Sequence, residues 1–353
     1  MYECDELEVW NLTPGVPVLC TAQQIFNVVG RVKSPAQTER LLYSLNGGPE
    51  KLVFFSRDGS TKGCERLERS GDFNIDTILL SDLKPCNQLA FRVLNGLGEK
   101  RYVIDFPVGP SEPGSRRPFW LNLEDVKYPE QVGQVVDGKW HVSRDESGQL
   151  CLEVRKEDAG YDRVILFSHS GWATGYEITA KLCGSAWTGT WEHGVGLGFR
   201  WNPHALGDGT CLPTDWNTGV ALYYYYSLGS PRGQGLRIAL GVTRRDGPGR
   251  SFHHFLLGHK TLSLWRLLVG HTGRRLFPNR PLFSQMVPEA HYRFRLLVLP
   301  EKCALSVWRD GRPEPAPQVV VKTEAINELP QGSMGVIAHR CAIRIYEFSV
   351  SPV

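Results

Sequence analysis

The sequence predicts an all-β protein built from two β-sandwich domains. Short runs in which apolar and polar residues alternate recur along the chain, as expected for half-buried strands. Glycine and proline, at 37 and 23 residues, supply the many turns that such a fold needs. No stretch shows the periodicity of a long amphipathic helix. A chain of 353 residues is long for one hydrophobic core and suits two domains.

Residues 1–108 are predicted to form the first, smaller sandwich. Turn signals such as Asn46-Gly47-Gly48 and Asn95-Gly96 separate short alternating runs, which favours an antiparallel arrangement. The predicted strands are Gln24–Val32, Arg40–Leu45, Lys51–Phe55, Phe73–Leu79, Asn87–Leu94 and Lys100–Phe106.

A proline- and glycine-rich segment at residues 109–118 is the predicted linker between the domains. Residues 119–353 form the predicted second domain, whose strands are longer and more aromatic. Its clearest strand is His291–Leu299, which alternates along its length. Ala304–Trp308 and Pro317–Lys322 are joined by a turn and are expected to form a hairpin.

An aromatic stretch from Gly171 to Tyr226 is the first candidate for a binding site. It holds five of the ten tryptophans and four consecutive tyrosines, and alternation stops between Trp201 and Thr218. We expect a long loop there, presented by a rigid β framework. Aromatic rings that fill the core are the alternative. The expected ligand-binding residues are Trp191, Arg200, Trp201, Trp216, Asn217 and Tyr224.

Several segments of the second domain resemble the concanavalin A-like lectin and glucanase superfamily, laminin-G-like domains included. They are GYEITAKL, GVGLGFRW, YRFRLLVLPEKCALSVWRDGRP and GSMGVIAHRCAIRIYEFSV. This resemblance implies a jelly roll, a fold that carries lectins, hydrolases, lyases and adhesion modules. In the first domain, the LNGG turn, the GDF strand and the LKPCN corner resemble immunoglobulin-like or fibronectin-like domains.

The resemblance leaves open whether the protein is an enzyme. The ExDxxE strand motif of jelly-roll glucanases is absent from the sequence. Glu192 and His193 are adjacent and could act as an acid–base pair, although a solvated strand edge explains them better. A lyase would use arginine to neutralise a uronate and histidine or tyrosine as the base. The candidate catalytic residues are Glu192, His193, His204, Asp215 and Tyr224.

Metal and cofactor chemistry has little support in the sequence. No HExxH motif and no cysteine–histidine ligand spacing occurs. Calcium is the one alternative, because laminin-G-like domains often hold it; its candidate ligands are Asp208 and Asp215. The nine cysteines lack a CxxC motif, and we expect reduced thiols, with a Cys20–Cys86 disulfide as the alternative.

Positive charge is concentrated in one segment. Pro231–Arg280 holds ten lysines and arginines against Asp246 alone, whereas the whole chain has a net charge of +3. Such segregation favours an anionic partner, either an acidic glycan, a phosphorylated surface or an acidic protein. Arginines paired with carboxylates elsewhere in the fold are the alternative. No signature of a nucleic-acid-binding fold accompanies the charge, which argues against a nucleic-acid partner.

The leading hypothesis is therefore a lectin-like protein that binds a carbohydrate, and the positive charge of Pro231–Arg280 favours an acidic carbohydrate. A glycoside hydrolase or polysaccharide lyase on the same scaffold is the second hypothesis, and a protein-interaction module is the third. No apolar run is long enough to span a membrane. Because the N-terminus lacks the pattern of a secretory signal peptide, we expect a cytoplasmic protein, or a secreted one if this chain is a mature form. The sequence does not predict the oligomeric state.

Overall fold

The fold was analysed in a computed structural model of the chain. The structure describes residues 1–21, 23–57, 67, 69–109, 117–169, 172, 174–187, 192–202, 217–226, 235–245, 251–257, 260–263, 289–322, 327, 329 and 331–353. These residues form strands β1–β24, and three short 3-10 helices lie at Leu80–Asp82, Pro129–Gln131 and Lys156–Asp158. The predicted all-β fold class is confirmed.

Strands from residues 2–107 make two four-stranded sheets. The strands are β1 (Tyr2–Glu3), β2 (Leu7–Val9), β3 (Ile25–Val32), β4 (Thr38–Leu45), β5 (Lys51–Val53), β6 (Asp72–Leu79), β7 (Cys86–Asn95) and β8 (Gly98–Pro107). One sheet has the order β1-β2-β3-β6 and the other β5-β4-β7-β8. All six strands predicted here are present, whereas β1 and β2 were not predicted because two or three residues are too few to show a period. We call these the N-terminal sheets.

The N-terminal sheets enclose their own hydrophobic core. Phe26 stacks on Phe106, and Phe73 packs against Phe91, all four being at most 2% exposed. Burying an aromatic or aliphatic side chain of this size contributes about 1.5–3 kcal/mol. The residues of this cluster all come from the first 110 positions.

Strands from residues 119–352 make two larger sheets. The strands are β9 (Phe119–Trp120), β10 (Gln134–Asp137), β11 (His141–Arg144), β12 (Leu150–Val154), β13 (Asp162–His169), β14 (Tyr176–Trp187), β15 (Glu192–Asn202), β16 (Asn217–Tyr226), β17 (Gly235–Arg245), β18 (Ser251–Leu257), β19 (Lys260–Ser263), β20 (His291–Val298), β21 (Lys302–Arg309), β22 (Val319–Lys322), β23 (Ser333–His339) and β24 (Cys341–Pro352). The order β10-β13-β23-β15-β16-β17-β18-β19 defines the front sheet. The order β11-β12-β24-β14-β20-β21-β22 defines the back sheet, with β9 added beside β24.

Alternation along the strands builds the core between the front and back sheets. On β20, Tyr292, Phe294, Leu296 and Val298 are at most 3% exposed and the residues between them are partly exposed, as the sequence predicted. The matching residues of the front sheet include Val195, Leu197 and Phe199 of β15, all fully buried. The predicted hairpin also forms, since β21 pairs with β22. Two large sheets packed face to face thus form a sandwich.

Seven cysteines lie in the described residues, and all seven carry free thiols. Cys20 and Cys86, the one disulfide considered from the sequence, are among them. Burial raises the pKa of the Cys20 thiol to about 12, so this cysteine is protonated at neutral pH. The predicted linker residues 110–116 lie outside the described part of the chain, and the predicted domain boundaries stay a prediction.

Candidate functional site

The N-terminal sheets cover part of the outer face of the front sheet, the face turned away from the back sheet. Val164, Leu166 and Ile337 alternate with residues of the inter-sheet core, so they lie on this outer face. They are nevertheless at most 1% exposed and form a separate apolar cluster with Val136 and Trp201. Strand β3 lies against β10 at this place. The covered surface is therefore an internal interface.

Buried hydrogen bonds hold this interface together. The indole Nε1 of Trp201 donates to Oε1 of Gln23 at 3.0 Å, and the backbone N–H of Gln23 donates to Oγ of Ser333 at 3.1 Å. Gln134 donates from Nε2 to the carbonyl of Ile25 at 2.9 Å. Asn74 donates to the carbonyl of Val136 at 2.8 Å. Because buried polar groups that lose their partners cost about 1–3 kcal/mol each, this network fixes how the two parts pack.

Arg200 and Trp201 do not lie in a loop, which corrects the sequence prediction. Strand β15 continues to Asn202, and Trp201 pairs with Ser333 of β23. Arg200 has a positive φ of 51° at a register shift, and this bulge moves Trp201 from the core face to the outer face. There the Trp201 side chain is fully buried. Its indole is thus an interface residue in this structure, not an exposed stacking surface.

The Arg200 side chain is also enclosed. It is 3% exposed and donates from its guanidinium to the carbonyl of Leu329 at 3.0 Å. A second guanidinium nitrogen donates to Oδ1 of Asn327 at 3.2 Å. Arg200 therefore ties the bulge of β15 to the segment that precedes β23.

Beyond the covered region, strand register aligns five chemically distinct residues in one row across the front sheet. His339 of β23 pairs with Asp162 of β13 on one side and with Gly194 of β15 on the other. Gly194 pairs with Tyr224 of β16, and Tyr224 pairs with Arg237 of β17. Directly opposed residues in antiparallel strands share a face of the sheet. We call this set Asp162, His339, Gly194, Tyr224 and Arg237 the polar row.

A buried glycine lies at the centre of the polar row, beside the histidine. Neighbouring strands lie about 4.8 Å apart, so the backbones of His339 and Tyr224 are separated by about 10 Å. Gly194, which has no side chain, lies between them. Residues alternate along β15, which places Gly194, Gly196 and Gly198 on the outer face and Val195 and Leu197 in the core.

At one end of the polar row, Asp162 and His339 form a hydrogen-bonded pair. Oδ1 of Asp162 lies 2.7 Å from Nδ1 of His339. The Asp162 side chain is 1% exposed, whereas the His339 side chain is 14% exposed. A buried carboxylate on Nδ1 stabilises the tautomer that carries its proton there, which leaves Nε2 as the basic nitrogen. The ring of Tyr161 meets the His339 ring edge-on, with centroids 4.8 Å apart.

The backbone is strained beside this pair. Arg340 has a φ of 51°, and the chain passes at this residue from β23 in the front sheet to β24 in the back sheet. Its backbone N–H is 2.8 Å from the carbonyl of Gly160, and its guanidinium lies 5.0 Å from the centroid of the Tyr161 ring. Residues in this region of φ cost about 1–3 kcal/mol and concentrate at functional sites.

His193 lies one register position from the polar row but on the core side of β15. Its side chain is 7% exposed. Burial, with a smaller contribution from the neighbouring His339, lowers the pKa of His193 to about 4. His193 is therefore neutral at pH 7, and it is a poorer candidate for proton transfer than His339.

The lowered pKa of His193 predicts a loss of stability in acid. Between pH 6.5 and pH 4 the unfolded chain binds a proton at this position that the folded protein excludes, so the stability present at pH 7.5 declines as the pH falls. From pH 7.5 to pH 4.5 this histidine alone accounts for about 2–3 kcal/mol. Denaturant unfolding at both pH values, compared between the wild type and His193→Leu, measures the difference. An equal pH dependence in both proteins would contradict the assignment.

The other predicted site residues have the following positions. Glu192 begins β15 and pairs with Tyr226, and Asn217 begins β16 and pairs with Asn202. Tyr224 belongs to the polar row. Trp191, His204, Asp208, Asp215 and Trp216 lie outside the described residues, so their predicted roles stay predictions.

Asp162, His339 and Gly194 were not identified as site residues from the sequence. Asp162 and His339 are 177 positions apart, and Gly194 is one of several glycines in an otherwise ordinary strand. The alternation of glycine with apolar residues in Gly194–Phe199 was a usable signal, because it predicts one strand face without side chains.

The outer face of the back sheet carries charged side chains that pair with one another. Its arginines are paired with carboxylates: Arg293 with Asp310 at 2.5 Å, Arg295 with Glu177 at 2.5 Å, and Arg344 with Glu146 at 2.9 Å. Such partly exposed pairs contribute about 0–1 kcal/mol each. Because these charges already have partners, this face is a weak candidate for binding an anionic ligand.

Metal binding is not supported among the residues that the structure describes, where no group of three or more histidine, cysteine or acidic side chains could hold an ion. The predicted calcium ligands Asp208 and Asp215 are outside that set, so the calcium site stays a prediction. In the same described residues, no helix is long and apolar enough to cross a membrane.

Comparison with known proteins gives no family assignment. No family model matches the sequence. No curated protein matches it either. Solved structures with partial similarity include peanut lectin with a 9-mer peptide, at a TM-score of 0.38 and 8% identity over 66% of this chain and 96% of the lectin. The alginate lyase from Klebsiella pneumoniae has a TM-score of 0.32 and 12% identity over 61% of this chain and 84% of the lyase.

A third similar structure spans nearly the whole chain. It is the xylan β-1,4-xylosidase from Bacillus halodurans C-125, with a TM-score of 0.38 and 10% identity over 98% of this chain. Our chain spans 64% of the length of that enzyme. The immunoglobulin-like and laminin-G-like resemblances stay predictions.

Proposed function

We propose that this protein binds an acidic glycan on the outer face of the front sheet, across the polar row. The observation that carries the proposal is the register that aligns His339, Gly194, Tyr224 and Arg237 on adjacent strands. Gly194, which has no side chain, lies between the histidine and the tyrosine in this row. Arg237, at the far end of the row, lies in the segment with the concentrated positive charge.

Electrostatics and stacking support the same ligand class. A carboxylate or sulfate of the glycan would pair with the guanidinium of Arg237, the side chain best suited to bind such a group in two places. Tyrosine is suited to a sugar because it has both an apolar ring and a polar hydroxyl group. A neutral glycan has no group of opposite charge for Arg237, so we expect acidic glycans to bind more tightly.

The binding proposal is tested by titrating polygalacturonate, alginate and a neutral β-glucan into the wild type and into Arg237→Ala. We expect the wild type to prefer the two polyuronates, and Arg237→Ala to bind them at least tenfold more weakly, because a charge-assisted hydrogen bond contributes about 1.5–3 kcal/mol. Arg101→Ala is the matched control, since Arg101 is 71% exposed on the N-terminal sheets. Equal binding by both variants would contradict the proposal.

A second candidate function, cleavage of the glycan by β-elimination, is favoured by the Asp162–His339 pair. A buried aspartate at Nδ1 orients the His339 ring and favours the tautomer whose basic nitrogen is Nε2. In the proposed reaction, Nε2 takes the proton from the carbon next to the uronate carboxyl group. The electron pair of that C–H bond forms the ring double bond, and the glycosidic C–O bond breaks.

The remaining polar-row residues complete this reaction. The hydroxyl of Tyr224 would protonate the leaving glycosidic oxygen, and Arg237 would neutralise the carboxylate so that the carbon acid ionises more readily. Substrate and products have the same atoms, so the step requires no water and no oxidant. Arg237 was not among the residues predicted from the sequence, whereas Tyr224 was.

A further inference from the structure

We propose that Arg340 binds a second carboxylate of the glycan, in addition to the one that pairs with Arg237. This inference rests on the proposed function and specifies its ligand class, an oligosaccharide with acidic groups on at least two sugars. It follows from the strained backbone at Arg340 and from the aromatic ring over which the Arg340 guanidinium lies.

Two hydrogen bonds hold the backbone of Arg340 in its strained conformation. A φ of 51° lies in the left-handed region, where glycine and asparagine are favoured over arginine. The Arg340 N–H donates to the carbonyl of Gly160 at 2.8 Å and to the carbonyl of Tyr161 at 3.1 Å. The passage from β23 to β24 requires neither a charge nor a long side chain, so an arginine at this strained position indicates a role for its side chain.

The Arg340 guanidinium lies close to the Asp162–His339 pair. Its Cζ is 5.0 Å from the centroid of the Tyr161 ring, and the Tyr161 ring meets the His339 ring with centroids 4.8 Å apart. Tyr161, His339 and Arg340 are all partly exposed. A guanidinium over an aromatic face keeps its N–H groups at the edge of its plane, and its five donors allow contacts to a ligand as well as to the protein.

The separation of Arg340 from Arg237 favours two carboxylates over one. A guanidinium suits a carboxylate because the two planar groups can form two parallel hydrogen bonds. Arg340 follows His339 directly in the chain, whereas Arg237 lies on β17, three strands away from β23 in the front sheet. Three strand spacings separate the two backbones by about 14 Å. Two cations at this separation suit a ligand with a carboxylate on each of two sugars.

The inference is tested by calorimetry with trigalacturonate and with its methyl ester, which has the same sugars without their charges. Because asparagine tolerates a positive φ, Arg340→Asn is expected to be at least as stable to denaturant as the wild type. We expect this variant to bind trigalacturonate about tenfold more weakly than the wild type, because it loses a charge-assisted hydrogen bond, and to bind the methyl ester equally well. Arg340→Lys keeps the charge without the paired geometry and should have an intermediate affinity.

Equal affinities of the wild type and Arg340→Asn for trigalacturonate would overturn the inference and leave the proposed function intact. An equal loss of affinity for the acid and for its methyl ester would also overturn it, because Arg340 would then act by supporting the fold and not by binding a carboxylate. If the wild type binds neither ligand, the proposed function is contradicted, and this inference with it.

Discussion

Trp201→Ala is expected to lower the free energy of unfolding by about 3–5 kcal/mol, the usual cost of deleting a large buried aromatic side chain. The Trp201 side chain is 0% exposed and lies in the apolar cluster between the N-terminal sheets and the front sheet. The substitution also leaves Oε1 of Gln23 without its indole donor. Denaturant unfolding measures the change.

Trp120→Ala is the matched control for this substitution. Trp120 is 65% exposed in β9, so the same change there is expected to alter stability by less than about 1 kcal/mol. Trp201→Phe keeps most of the volume and is expected to cost about 1 kcal/mol through the lost hydrogen bond. If Trp201→Ala and Trp120→Ala had equally small effects, Trp201 would not be the interface residue described above.

Asp162→Asn is expected to reduce the rate of uronate β-elimination by about 10²–10⁴-fold, the range in which general base catalysis contributes. Asp162 acts as a positioning residue, because its Oδ1 orients the His339 ring through Nδ1. In the proposed reaction, His339 and not Asp162 contacts the sugar. The amide group of asparagine can donate to Nδ1 and so favours the tautomer with the proton on Nε2, which removes the base.

The elimination rate is followed through the ultraviolet absorbance of the unsaturated product formed from polygalacturonate or alginate. Because Asp162 positions another group, we expect kcat to fall while KM changes little, and the pH dependence of kcat to shift. Asp310→Asn, in an ion pair on the back sheet, is the control and should retain full activity. If the wild-type protein binds the polymer but forms no unsaturated product, the elimination reaction is contradicted.

Several strands of this protein were predictable because one face of each lies in a core. Tyr292, Phe294, Leu296 and Val298 alternate in the sequence and are buried in the structure in the same order. Alternation depends only on neighbouring positions, so it is visible without knowing what the strand packs against. The six N-terminal strands from Gln24 to Phe106 were found in the same way, with ends differing by two residues or fewer.

The position of Trp201 could not be predicted in this way. A residue with positive φ at Arg200 shifts the register, and a one-residue shift exchanges the two faces of a strand. The burial of Trp201 then depends on Gln23, which is 178 positions away. Similarly, the polar row depends on the insertion of β23, from near the end of the chain, between β13 and β15. Local patterns carry no information about that order.

The polar row as a binding site for acidic sugars is the central claim, and nuclear magnetic resonance of the histidine side chains tests it most directly. Trigalacturonate is titrated into the wild-type protein, and the ring signals of His339 are compared with those of His291, which packs against Tyr346 on the back sheet. The account predicts that the His339 signals shift with saturation while the His291 signals stay in place. Saturable binding that moves the His291 signals and leaves those of His339 unchanged would contradict it.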